Sequence, residues 1–173
     1  SAINLGTIES NADLQEVCEL AVRALDALLD YQFYPVAAAK NATIKRRPLG
    51  IGVINYAYFL AKHGLKYSDG SANALTHQRF EAFQYYLLKA SVQLAKEFGP
   101  CEGFKETTYA QGLLPIDTYK TSINEFCQEP LHLDWEELRQ DIAHYGLRNS
   151  TLSSLMPSET SSQISNATNG IEP

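Results

Sequence analysis

Cysteine, tryptophan, methionine and positive charge are all scarce in this chain, and the cysteine and charge shortages each remove a class of function. The three cysteines among 173 residues, Cys18, Cys101 and Cys127, are widely spaced and include no Cys-x-x-Cys pair. They supply neither a disulfide framework nor a dithiol motif, and the pattern points to reduced thiols in the cytoplasm. Fourteen Lys and Arg against twenty Asp and Glu leave a formal net charge of −6, which argues against general affinity for nucleic acid or anionic membranes. No apolar run reaches the ~18 residues of a membrane span, and no secretory leader is recognisable. His63, His77, His132 and His144 show no metal-ligand spacing. There is no Walker loop and no nucleophile elbow, and Gly50-Ile51-Gly52 lacks the third glycine of a dinucleotide fingerprint because Asn55 stands in its place. What is present is ordinary globular composition, 45% hydrophobic and 20% charged, with length enough for one core.

Hydrophobic periodicity predicts a mostly helical chain. Ser10 with Asp13 three residues on reads as a capped helix start, and Leu14, Val17, Cys18, Ala21, Leu25 and Leu28 recur at helical spacing through about residue 31. Residues 33–47, between Pro35 and Pro48, read as a loop carrying a solvated basic cluster of Lys40, Lys45, Arg46 and Arg47. A helix is expected over 51–63, ending at Gly64, and a long one over 70–98, with Phe80, Phe83, Leu87, Ser91 and Leu94 as its stripe. Tyr85 and Tyr86 beside that stripe suit packing. Residues 101–131 read as loops and short helices. Asp134 caps a helix to Tyr145 with Trp135, Leu138 and Ile142 on one face, while Glu136, Glu137 and Asp141 read as solvated. The chain then predicts a strand at 150–156, a loop at 157–160 and a helix at 161–167.

That last junction is the one place where the residues suggest a site. An apolar run, Leu152 to Met156, stops at Pro157 and gives way to Ser158-Glu159-Thr160-Ser161-Ser162. Hydroxyls and unpaired N–H groups at the positive end of a helix can cradle an anion. The same pattern also serves as a plain helix cap, and composition leaves both readings open.

Four segments carry a resemblance. They are Ser1-Ala2-Ile3-Asn4-Leu5-Gly6, Arg46-Arg47-Pro48-Leu49-Gly50-Ile51-Gly52-Val53-Ile54-Asn55, Lys66-Tyr67-Ser68-Asp69-Gly70-Ser71-Ala72-Asn73, and the run from Ser150 to Pro173. In this order and wording the chain resembles the large subunit of class I aerobic ribonucleoside-diphosphate reductase. The resemblance implies an α/β fold, mostly helical here, forming part of a ten-stranded α/β barrel across residues 1–173, with no internal domain boundary. It implies reduction of ribonucleoside diphosphates to deoxyribonucleoside diphosphates by thiyl-radical chemistry for DNA synthesis. Ser158, Glu159, Thr160 and Ser161 would bind the substrate diphosphate, Glu159 through its backbone N–H.

The same resemblance assigns no catalytic residue and no metal ligand to this chain, and no cofactor of its own. It implies a radical from a di-iron small subunit, a dithiol reductant, ATP and dNTP effectors, a large-subunit homodimer and the remaining parts of the same subunit as partners. The chain opens inside one of these motifs and stops inside another, so it is expected to be a piece of a longer subunit and inactive by itself. The alternative is a non-catalytic helical binding or scaffolding domain derived from that family.

Overall fold

Ser10 starts the first helix as its sequence requires. In the computed structural model, which describes all 173 residues, its hydroxyl accepts from Asp13 N at 3.1 Å while the Asp13 carboxylate accepts from Ser10 N at 2.9 Å. This reciprocal cap satisfies two donors that a helix otherwise leaves orphaned. Helix α1 spans Asn11–Tyr31 and buries Leu14, Cys18 and Val22 on one stripe. That stripe packs on the longest helix, which spans Asn73–Phe98 and is labelled α4 below. A third helix, Trp135–Tyr145, is capped by Asp134, buries Trp135, Leu138 and Ile142, and also packs on α4. Each such side chain contributes about 1.5–3 kcal/mol by leaving water. All three helices follow the expected ranges within a few residues, and Tyr85 and Tyr86 are buried packing residues of α4.

A small parallel sheet completes the core. Strand β1, Ala2–Asn4, pairs with β2, Gly52–Ile54, in the register Ala2↔Gly52, Ile3↔Val53 and Asn4↔Ile54. Parallel strands need a long crossover, supplied here by α1 and by α2, Ala37–Arg46. A second crossover, α3 (Tyr56–Lys62), α4 and the Trp135–Tyr145 helix, α5, brings residues 151–154 back along β2's other edge. There Leu49 N donates to Thr151 O, Ile51 N to Leu152 O and Ser154 N to Ile51 O, at 2.8–3.0 Å. Residues 102–125 form four short 3-10 turns.

The structure corrects four sequence expectations. Residues 37–46, expected as a loop, are helix α2: the run Ala37-Ala38-Ala39-Lys40 has high helix propensity, and the two prolines bound it rather than interrupt it. The helix expected from residue 51 starts only at Tyr56, because Ile51–Ile54 are buried in the sheet on both faces and so lack the alternation that marks a half-exposed strand. The strand expected at 150–156 shrinks to a single bridge, Ile51↔Ser153. Finally, the basic cluster is not a solvated loop. Lys45 and Arg46 pair with Glu106, and Arg47 is buried against Asp26 at 2.7 Å, with Asp30 at 2.8 Å. Lys40 is exposed, and of the four it alone has no ion-pair partner.

Candidate functional site

The C-terminal segment is assembled by all four motifs named above. The helix α6 spans Glu159–Ile164, two residues earlier than expected and ending before 167. Ser158 precedes it with φ −125° and ψ 36°, and its hydroxyl makes no cap bond into the helix. Instead Ser158 turns inward. Its N–H donates to Asn169 Oδ1 at 2.7 Å, its hydroxyl donates to Met156 O at 3.2 Å, and the residue is buried. Ser162 Oγ donates back to Glu159 O at 2.9 Å, and Ala167 N to Ser162 O. These bonds fold residues 158–169 into a closed frame.

Glu159, Thr160 and Ser161 face out of that frame. All three are exposed, and their backbone N–H groups have no acceptor within the chain. The hydroxyls of Thr160 and Ser161 are equally unengaged. The first turn of α6 therefore presents three free N–H donors and two hydroxyls on one helix end, where the backbone dipoles are positive. The Glu159 carboxylate is the only charge on this turn, and no Lys or Arg follows Arg148 in the chain. An anion on this turn would meet only neutral donors from the turn itself. Of the four residues expected to contact phosphate, three carry free donors, whereas Ser158 has both its N–H and hydroxyl occupied.

Three other motifs anchor the frame. Asn55 N donates to Thr168 O at 2.9 Å, and Thr168 N donates to Asn55 Oδ1 at 3.2 Å. Asn55 Nδ2 reaches Asn4 Oδ1 at 2.9 Å in the first motif. Tyr67, from the third, donates its hydroxyl to Ile171 O at 2.9 Å. Beside the frame lies a cavity of about 210 Å³, lined by Val53, Leu155, Met156, Pro157, Asn169 and neighbours. Sequence reasoning quoted Asn4, Asn55 and Asn169 within motifs but assigned them no role. Asn4 meets Asn55 across 51 residues and Asn55 meets Thr168 across 113, separations that leave no local signal.

Two rival locations are chemically unsuited to phosphate. The largest cavity, about 750 Å³, lies between α4 and residues 115–131, and its only charged lining residues are Glu81 and Glu129. Acidic walls around Phe80, Tyr119 and Trp135 repel an anion. Two of the three cysteines are no better placed for nucleophilic or redox work. Burial pushes the Cys18 thiol up to about 12 and raises Cys101 as well, so neither is a ready thiolate. No three His, Cys, Asp or Glu side chains converge as metal ligands, and no helix is long and apolar enough to cross a membrane.

Comparison with known proteins matches residues 1–173 to a family described as "Ribonucleotide reductase, barrel domain". The chain is 71% identical over its full length to the ribonucleoside-diphosphate reductase subunit alpha of Haemophilus influenzae. It is 71% identical over 145 residues, 84% of the chain, to ribonucleoside-diphosphate reductase 1 subunit alpha of Escherichia coli K12. Against the subunit alpha of enterobacteria phage T4 identity is 53% over 160 residues, 92% of the chain. The chain spans 23%, 19% and 21% of these three relatives.

Proposed function

Because this chain belongs to the ribonucleotide reductase barrel-domain family, we propose that it supplies the substrate-diphosphate loop of a ribonucleoside-diphosphate reductase large subunit. The observation that carries the proposal is the outward-facing first turn of α6, where Glu159, Thr160 and Ser161 offer unpaired N–H groups and hydroxyls. The chain forms one stretch of the ten-stranded barrel wall, in keeping with its row of parallel segments joined by helical crossovers. Reduction of the ribose itself falls to parts of the subunit outside this chain. The radical from a di-iron small subunit, the dithiol reductant, the ATP and dNTP effectors and the subunit homodimer belong to that larger assembly. The donor set here does not fit a di-iron centre, and this segment's part is to bind and orient.

The turn's own donors hold the diphosphate by geometry rather than by countercharge. Three N–H bonds to a charged phosphate contribute about 1.5–3 kcal/mol each, roughly 5–9 in all, with a smaller addition from the helix end. Association costs at least ~4 kcal/mol, and micromolar affinity needs about 8 net. The loop alone falls short, so binding belongs to the assembled subunit, where the nucleoside adds its own contacts. Glu159 takes part through its N–H with the carboxylate turned to solvent, which keeps like charges apart.

The test uses the complete subunit carrying this segment. Thr160→Ala with Ser161→Ala should cost about 2–5 kcal/mol in substrate binding, roughly 30- to several-thousand-fold. Thr160→Pro deletes one backbone donor in the first helical turn, where proline is otherwise tolerated, and should be comparably harmful. Glu159→Gln should do far less, and effector binding should stay near wild type. Near-normal substrate affinity in both the double-alanine and proline variants would reduce the turn to a helix cap.

A further inference from the structure

We propose that Asn55 is the positioning residue of this loop, clasping it to the sheet from 113 residues away along the chain. The inference rests on the diphosphate reading above and adds to it the device that aims the donors. Asn55 sits where β2 becomes α3, with a left-handed backbone at φ 66°, a conformation that asparagine tolerates better than most non-glycine residues. It is buried and every part of it is used. Its N–H takes Thr168 O and its Oδ1 takes Thr168 N, a two-point clasp on one peptide residue. Its Nδ2 is tethered to Asn4 Oδ1, which also accepts Gly6 N at 3.1 Å. A Cβ at Gly6 would stand 2.3 Å from Asn55 Nδ2 and 2.7 Å from Tyr58 Cδ1, so the glycine leaves room for both side chains.

The clasp leads directly to the site. Thr168 is followed by Asn169, whose Oδ1 receives the Ser158 N–H at 2.7 Å, and the next three residues carry the free donors. The path therefore runs from the β1–β2 sheet through Asn55, Thr168 and Asn169 to Ser158 and the first turn of α6. A turn whose own donors are all neutral depends on aim, since hydrogen bonds weaken steeply as the donor angle falls away from linear. A lysine would tolerate a wandering loop. Three neutral N–H groups do not.

The experiment uses the complete subunit and two readouts, the substrate KM against kcat and the inhibition constant of inorganic diphosphate. Asn55→Gly keeps the left-handed backbone but removes the side-chain clasp. It should raise both KM and the inhibition constant about tenfold or more, on the scale of one to two hydrogen bonds, while kcat falls much less. Asn169→Ala should do the same, and Asn169→Asp, which retains the acceptor for Ser158 N, should restore most of the affinity. Because Asn55 and Asn169 act through one linkage, the double variant should be little worse than either single change. Unchanged diphosphate inhibition in Asn55→Gly, or additive losses in the double variant, would overturn the clasp. If Asn55→Gly fails to fold, the Asn169→Ala and Asn169→Asp pair decides alone: equal affinity in the two overturns it. The Thr160→Ala, Ser161→Ala subunit separates the two ideas. Impaired there but normal in Asn55→Gly, the loop stands and the clasp falls; normal both there and in Thr160→Pro, the loop reading itself has failed.

Discussion

Removing the Asp26 carboxylate should destabilise this chain more than any exposed ion-pair change. Asp26 is nearly fully buried on α1, and three side chains from two distant segments converge on it. Arg47 Nε, just past α2, lies 2.7 Å from Oδ1, Asn149 Nδ2 lies 2.9 Å from Oδ1, and Arg148 Nε lies 3.3 Å from Oδ2. Breaking a buried pair by deleting one partner costs about 3–5 kcal/mol, because the remaining charge is stranded. Arg47 retains Asp30 and the Asp26 carbonyl, and Asn149 retains Arg47 O, so the lower end applies, about 3 kcal/mol for Asp26→Ala. With a urea slope of about 1–3 kcal/mol/M, the midpoint should fall by roughly 1–3 M. Asp26→Asn keeps an acceptor and should lose less. Asp26→Leu with Arg47→Met should be milder than the sum of its parts, since neither charge is left unpaired. The assay is urea unfolding by fluorescence of Trp135, the sole tryptophan, alongside far-UV circular dichroism. Acid should erode the same network. The Arg47 hydrogen bond holds the Asp30 carboxyl below its ordinary value, so that contribution is present above about pH 4 and is lost as pH falls through the depressed value. An unfolding free energy for Asp26→Ala within about 0.5 kcal/mol of the parent's would refute the argument.

Gly52→Ala should also destabilise, by about 1–3 kcal/mol, because its Cβ would lie 2.5 Å from the backbone oxygen of Ser154. Gly50→Ala, with its nearest neighbour at 3.6 Å, is the internal control, and equal urea midpoints for the two would count against the close approach. At high pH, Cys18 should make folding pH-dependent. Its thiol is pushed up to about 12 in the folded chain, whereas the unfolded chain releases that proton near the ordinary value of about 8.5–9. Stability is therefore complete below that range and falls by about 1.4 kcal/mol per pH unit as pH rises towards 12. Cys18→Ala should flatten the slope of unfolding free energy against pH by about one proton; an unchanged slope would mean that Cys18 is not the group responsible.

Local rules determined the three main helices. The Ser10–Asp13 box, the Asp134 cap and stripes of apolar side chains at helical spacing are written within a few residues of where they act, so α1, α4 and α5 are legible without the fold. The wording of residues 158–161 likewise marked the loop and its family. Tertiary structure decided the rest. Ile51–Ile54 is a strand only because β1 arrives on one edge and residues 151–154 on the other, and a short run buried on both faces has no period to betray it. The cluster at 45–47 is an ion-pair anchor only because Asp26, Asp30 and Glu106 are brought to it from distant parts of the chain. At the candidate site the sequence placed four residues together, but only the fold turned Ser158 inward to Asn169 and left the next three facing solvent. That division depends on Asn55 and Thr168 meeting across most of the chain's length, a contact that the chain pattern does not encode locally and that packing alone creates.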